Sequence, residues 1–413
     1  MGACRPGAHG PPVRVRTGIV GSRLTAPFLF LIFFAACSSQ PDPNEAEFAD
    51  FVETVGKMPV ESRQAVLDSF LSVVSGYPFV ENDTVAYFLF HGDVNSVTVP
   101  GDANDWNLDA FPMTRLAGTD LWYRQVVLEP DARLDYKFVT DGSNWILDPL
   151  NPNQVTGGAG PNSELIMPGY LQPRGLLFDS TVLAGVLTEF EIESSYLDNE
   201  RMIQVYMPTA YEAGSDSFGV ALFHDGQEWL GFASAQTVLD NLIAMGRIDP
   251  VIGVFVPPVD RNLEYGFDKA DRYESFIVEE LMPEIDRRFK TRRNPAYRST
   301  IGVSLGGLIS AQIAYRHPDQ FGLAAAFSPA FQVENQAILR EVLDGSVRAV
   351  RFYVDWGTYE PTIQEVAADM RDGLQERGYD LLWREWHEGH SWGSWRAHLE
   401  IALDYLHPVS AER

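Results

Sequence analysis

The chain has 413 residues, 45% of them apolar, and a formal net charge of −26. That length and apolar content supply one large core or two smaller ones, so two domains are expected, and a charged fraction of only 21% with 12% aromatics excludes wholesale disorder. The excess of 57 acidic over 31 basic residues excludes nucleic acid as a partner and opposes contact with anionic headgroups, because holding phosphate requires clustered Lys and Arg.

Residues 1–36 carry Arg5, Arg14, Arg16 and Arg23, contain no acidic residue and end in the apolar run FLFLIFFAA. A basic start followed by a short apolar core has the form of an export signal and is short for a permanent membrane helix. Cys37 follows, in FFAACSSQ. Small residues ahead of a cysteine at this place resemble the lipobox of bacterial lipoproteins, with Phe34 where that motif usually has Leu. The resemblance implies a lipidated Cys37 as the mature N-terminus, the only link to a membrane, and a place in the bacterial cell envelope, at the outer membrane or in the periplasm. Plain cleavage after Ala36, giving a periplasmic or secreted protein, is the other reading. The basic region is long, which leaves the start codon open. Losing four arginines and no acid takes the charge from −26 to −30. It also leaves a single cysteine, which forms no internal disulfide.

Residues 38–80 read as a polar tether, SSQPDPNEAE, followed by short amphipathic helices. Phe51, Val55 and Met58, then Val66, Phe70 and Val74, recur at helical spacing on either side of a break at Pro59. Residues 81–168 change to short β-rich runs, TVAYFLFHG, SVTVPG, LWYRQVVL and LDYKFVTDG, separated by turn signals such as GDAND and DGSN. This spacing predicts a small all-β sandwich of immunoglobulin type. The series resembles the N-terminal early-set module of glycogen-branching enzymes and enterochelin-type esterases, which in some cases binds carbohydrate. Trp106, Trp122 and Trp145 are the residues that could stack on sugar rings, or else fill the sandwich core. The Gly- and Pro-rich stretch 157–175 reads as a linker.

From residue 176 to 409 strand-like runs alternate with helical ones: RMIQVYMP, FGVALFHDG, PVIGVFVPP, the helical RYESFIVEELMPEIDRRF, YRSTIGVS, the helical LGGLISAQIAYRH, LAAAFSP, VRFYVDWG, a helix, LLWREWHEG and a last helix. Alternation of this kind predicts βαβ units and a mostly parallel, doubly wound sheet covered on both faces, an α/β-hydrolase fold.

The chemistry is expected at Gly302-Val303-Ser304-Leu305-Gly306, where a strand turns sharply into a helix. A Cβ at either glycine would clash with the opposing backbone, and the strained turn lifts the Ser304 hydroxyl clear of the sheet as a nucleophile. Such a hydroxyl needs a base, and the order serine, acid, histidine points to the C-terminal region. His390, in EGHSWGSWR, lies in the loop between the last strand and the last helix and is the base; His398 falls inside that helix and reads as a surface or packed side chain, and His387 ends the strand and reads as structural. The acid follows VRFYVDWG. Glu360, in the loop, is favoured over Asp355, whose direction the strand pleat dictates. The oxyanion donors are the N–H of Leu305 and one from the backbone around Asp225, Gly226 and Gln227. No metal-ligand spacing is present, so no metal or cofactor is expected.

Taken together, RMIQVYMPTAYE, LFHDGQEW, VPPVDRNLEY, EELMPEIDRRF, YRSTIGVSLGGLISAQIAYRHPDQFG, VDWGTYEP and GHSWGSWR resemble, in order over residues 180–408, the esterase family that includes enterochelin esterases, esterase D and bacterial feruloyl esterases. The resemblance implies Ser304, His390 and the Glu360 site as the triad. Arg261 and Glu264 match a family motif near the pocket, where they read as a structural ion pair supporting the loop rather than as substrate contacts. Trp229 and Trp392 are further pocket candidates. The implied activity is hydrolysis of a small-molecule or glycan ester, with feruloyl or acetyl carbohydrate esters ahead of a siderophore trilactone because the chain offers few cations near the site beyond Arg261 and Arg396. A non-catalytic glycan-binding surface protein is the alternative from another class.

Overall fold

A computed structural model describes residues 48–74, 76–212 and 217–410. The expected leader 1–36, Cys37 and the tether 38–47 lie outside the described residues.

Two helices, Phe48–Lys57 and Val60–Leu71, part at Pro59. They bury Phe48, Val55, Leu67 and Phe70 against Tyr87, Leu89 and Leu121. These last residues belong to a four-stranded antiparallel sheet built from Phe79–Glu81, Val85–His91, Leu121–Val127 and Thr114–Arg115. Ala86, Phe88 and Phe90, on the other side of the same strand, enter a second core with Trp122, Leu134, Tyr136, Phe138 and Leu165. That double burial explains why VAYFLFH is apolar throughout instead of alternating. Two further three-stranded sheets complete the all-β region. The middle strand of one of them, Gly160–Ile166, occupies much of the stretch that reads as a linker. Gly157, Gly158 and Gly160 belong to the hairpin turn that joins it to Gln154–Gly157, with Gly160 at φ +90.

The larger sheet has eight strands: β1 (Val186–Ser194), β2 (Asn199–Met207), β3 (Gly219–His224), β4 (Val251–Val256), β5 (Arg298–Val303), β6 (Leu323–Phe327), β7 (Arg351–Gly357) and β8 (Asp380–Trp386). Their spatial order is β1-β2-β4-β3-β5-β6-β7-β8, antiparallel from β1 to β4 and parallel from there to β8. This is the α/β-hydrolase arrangement. Strands β3, β4 and β5 are buried at every residue, as strands packed on both faces must be. One face packs the helix Leu305–Arg316 and neighbouring helices, the other the helices Ala235–Ala244 and Trp392–Leu406.

The run RYESFIVEELMPEIDRRF is not one regular helix. It passes from Ala270–Ser275 through a wider turn of π type, Phe276–Leu281, into Met282–Arg288. Pro283 has no N–H to donate and its ring crowds the preceding turn, so the ladder shifts just ahead of it.

Candidate active site

Ser304 sits at φ 56, ψ −119, between β5 and the helix Leu305–Arg316. This sparsely populated backbone is held by three bonds, Ser304 N–H to the Phe327 carbonyl (2.8 Å) and the N–H groups of Leu308 and Ala330 to the Ser304 carbonyl (3.0 Å each). A Cβ on Gly302 would lie 2.3 Å from the Gly306 carbonyl carbon, so the bend closes only with glycine there.

His390 lies in the loop after β8, and its Nδ1 contacts Glu360 Oε1. Glu360 is buried at the start of the helix Pro361–Glu376, and its second oxygen accepts from the Gly357 N–H and from Ser328 Oγ (2.8 Å). Ser328 Oγ in turn accepts from Trp395 Nε1 (2.9 Å), and the Trp395 ring meets the imidazole edge-on at 4.9 Å. Carboxylate, imidazole plane and tautomer are thereby set together, with Nε2 left for chemistry. Ser304 and His390 line one cavity, with no hydrogen bond between them among the described contacts. Such bonds often tighten only with substrate present.

Asp355 does not reach His390. Its carboxylate accepts from Tyr353 Oη (2.7 Å) and Trp386 Nε1 (3.2 Å) and lies 3.2 Å from His398 Nδ1. His398 is buried rather than at the surface, stacked on Trp386 and bonded through Nε2 to Glu388 (3.0 Å). Burial pulls its pKa down, but the Glu388 and Asp355 carboxylates more than offset this and raise it to about 9. His387 bonds Asp131 of the all-β region (2.6 Å).

The oxyanion candidates separate. Asp225 stands at φ 58 ahead of the short helix Gly226–Gly231, and its N–H donates to Tyr265 Oη (3.0 Å), which removes it as a donor to substrate. Its carboxylate instead receives Arg261 through two bonds of 2.8 Å. Gly226 is pressed against β4, where a Cβ would lie 2.4 Å from the Phe255 carbonyl carbon. The Gln227 side chain is exposed. The N–H groups of Gly226, Gln227 and Leu305 remain as candidates. The neighbouring His224 is fully buried between Tyr273 and Thr300, and burial, with the Arg261 charge adding to it, lowers its pKa to about 3, so it is a neutral strut.

Arg261 and Glu264 do not pair with each other. Arg261 belongs to Asp225, donates also to the Val303 carbonyl (3.1 Å) and lines the cavity. Glu264 is wholly buried, bound by Arg201 at 3.0 and 3.1 Å, and away from the cavity. Trp229 is likewise buried beneath the site, edge-on to Trp392 at 5.4 Å, and only Trp392 of the two lines the cavity.

The cavity, about 610 Å³, is shared between the two regions. The all-β region supplies Trp106, Lys137, Trp145, Asn162 and the hairpin turn Gly157–Gly160. Trp122 is buried in its own core. Lys137 and Asn162 carry no local sequence signal, since only the folded docking of the two regions brings them to Ser304.

Three comparisons bear on this geometry. An iron(III) enterobactin esterase of Dickeya dadantii (strain 3937) is 24% identical over 366 residues, covering 76% of this chain and 82% of its own. An endo-1,4-beta-xylanase/feruloyl esterase of Xylanibacter ruminicola is 29% identical over 130 residues, 29% of this chain and 18% of that protein. The enterobactin esterase of Shigella flexneri, solved in the presence of enterobactin, superposes with a TM-score of 0.70 at 22% identity over 82% of this chain and 97% of the other, a likeness of fold. The family model described as Putative esterase matches residues 194–406, more than half of the chain, and the chain therefore belongs to the Putative esterase family.

Proposed function

We propose that this carboxylic ester hydrolase works through Ser304, His390 and Glu360 on esters of planar phenolic acids. Ser304 Oγ attacks the ester carbonyl while His390 Nε2 takes its proton. The oxyanion is met by the N–H of Leu305 and by Gly226 or Gln227. The imidazolium returns the proton to the departing alcohol, leaving an acyl-serine. Water attacks that carbonyl with His390 again as base, releasing the acid and restoring the serine.

The observation that carries the substrate class is the wall facing Ser304. Trp106, Trp145 and Trp392 offer flat apolar faces, and Lys137 adds a cation with no ion-pair partner among the described residues. Arg261 is neutralised by Asp225 and Arg396 by Glu164. Flat rings suit an aromatic acyl group, and Lys137, which shares the lining with the Glu228, Asp102 and Asp135 carboxylates, offers a polar phenol a charged partner. An acetyl ester would leave these rings without a partner. Both the enterobactin and the feruloyl esterases among the relatives are compatible with this class, and the former cover the all-β region as well.

The test is a panel of 2,3-dihydroxybenzoyl, feruloyl and acetyl esters with wild type and Ser304→Ala. Aromatic esters are expected to exceed acetyl by at least about tenfold in kcat/KM, the selectivity of ~1.4 kcal/mol or more of ring burial. Equal rates in Ser304→Ala would overturn the mechanism, and equal rates on acetyl and aromatic esters would overturn the substrate class. We further propose export and a lipid anchor at Cys37, on the basic and apolar leader and the small residues preceding that cysteine; fractionation of Cys37→Ser tests it, as argued below.

A further inference from the structure

The all-β region meets the hydrolase region along the loop that carries His390. Arg133, on the strand Arg133–Tyr136, donates its N–H to the His387 carbonyl (3.0 Å) and forms a parallel bridge with Glu388. Its side chain reaches further. Nε donates to Glu164 Oε1 (2.5 Å), Nη2 to Asp135 Oδ1 (2.7 Å) and Nη1 to Ser391 Oγ (3.1 Å). Ser391 directly follows His390 and caps the last helix.

The guanidinium is 1% exposed. A buried cation persists only when its charge and its donors are both satisfied. Glu164 and Asp135 do this and, in doing so, fix the direction of the remaining Nη1 donor. The loop fits this group closely on both sides of the histidine. A Cβ on Gly393 would come within 1.8 Å of Arg133 Nη2, and one on Gly389 within 2.2 Å of the Asp102 carboxyl carbon. Glu360 and Trp395 hold the imidazole ring itself, which is 40% exposed. The backbone ahead of it is held from both regions, by the Tyr359 N–H to the Glu388 carbonyl (3.2 Å) and by the Arg133 N–H to the His387 carbonyl, whereas Ser391, directly after it, receives its side-chain bond across the interface from Arg133 of the all-β region.

We propose that Arg133 is a positioning residue for ester hydrolysis: through Ser391 it fixes the His390 loop so that the imidazole stands where Ser304 can use it. The proposal rests on the roles given above to Ser304 and His390. It makes the all-β region part of the catalytic apparatus in a chemical sense, beyond its share of the cavity wall.

Arg133→Met keeps the apolar stem, removes the donors and leaves the Ser391 cap. Ser391→Ala removes the acceptor, and with it the cap on the Ser394 N–H, but leaves Arg133 with both carboxylates. A loss common to the two reports the single bond they share. Each is expected to lower kcat for p-nitrophenyl acetate by ~10- to 100-fold, the scale of a misplaced catalytic group, with KM little changed and phosphonylation of Ser304 by a fluorophosphonate slowed in proportion. The double variant is expected to be little worse than either single one. Circular dichroism and the thermal midpoint confirm that the assayed variants are folded. Should Arg133→Met fail to fold, Ser391→Ala decides. A purely structural role would lower the midpoint and leave kcat of the folded protein intact. Turnover within about twofold of wild type in the folded variants overturns this proposal alone. A wild type without Ser304-dependent turnover overturns the esterase mechanism and this proposal with it.

Discussion

A carboxylate beside an imidazole does its work only if it is aimed, and two carboxylates stand five residues apart, one near the end of β7 and one just after it. Glu360 is free of the pleat, reaches His390 and is fixed by Gly357 and Ser328. Asp355 stays inside the strand and is absorbed by Tyr353, Trp386 and His398. Glu360→Gln is therefore expected to lower kcat by roughly two to four orders of magnitude, because the amide neither fixes the tautomer nor stabilises the imidazolium. Asp355→Asn is expected to keep kcat within a few-fold and to lower the thermal midpoint. The reverse pattern in p-nitrophenyl acetate assays would reassign the acid. At this scale the contiguous signals were legible: a serine between glycines at a strand-to-helix turn, a histidine in the last loop, and a choice of acid that the pleat decides. Contacts formed at a distance were not. The Tyr265 hydroxyl that occupies the Asp225 N–H is 40 residues from it, and Arg201, which takes Glu264, is 63 residues away. No local pattern announces either partner.

Among elements, alternation of strand and helix made the eight-stranded sheet readable, since parallel strands covered on both faces must be apolar throughout. The misreadings have specific causes. Glycine at 157, 158 and 160 marks both linkers and hairpin turns, and only the pairing of Gly160–Ile166 with Arg133–Tyr136 distinguishes them. Pro283 inside an otherwise helical pattern permits either a kink or the wider turn that is found. The last strand, loop and helix carry a device that sequence left as a packed side chain: His398 joins Asp355 at the end of β7 to Glu388 in the His390 loop. Its folded pKa of about 9 lies above the ordinary 6.5. The stabilisation it gives is then fully present below about 6.5 and is lost as pH rises through 9, on the order of a few kcal/mol in all. Wild type is expected to lose stability between pH 7 and 10. His398→Gln is expected to be less stable at pH 7, with two buried carboxylates left unpaired, and the gap should close above pH 9. Parallel urea midpoints for the two proteins across this range would show that His398 carries no such clamp.

For the whole molecule, the feature least visible beforehand is that the all-β region completes the site. Arg133 and Ser391 are 258 residues apart, and Lys137 and Trp145 share a cavity with Ser304 only through that docking. Position relative to a membrane is a different matter, because the argument there is one of charge and reach. A chain with a formal charge of −30 after loss of residues 1–36 is repelled by anionic headgroups, so nothing in its net charge holds it to a bilayer. Among the described residues no helix is long and apolar enough to cross one. In the anchoring proposed above, the acyl chains at Cys37 would supply the attachment, each contributing about 0.8 kcal/mol per buried CH₂, with two or more chains needed for stable anchoring. Any ten-residue segment spans at most ~35 Å when extended, so an anchor at Cys37 would keep the enzyme close to the membrane. Full-length protein expressed in a Gram-negative host is therefore expected in the membrane fraction, to resist extraction by high salt and to be released by detergent. Cys37→Ser is expected to appear in the soluble fraction or to remain unprocessed, with the wild-type mature N-terminus carrying the mass of its acyl groups. Release of the wild type by salt alone, or a Cys37→Ser protein that stays in the membrane after its leader has been removed, would mean that some other part of the chain makes the attachment.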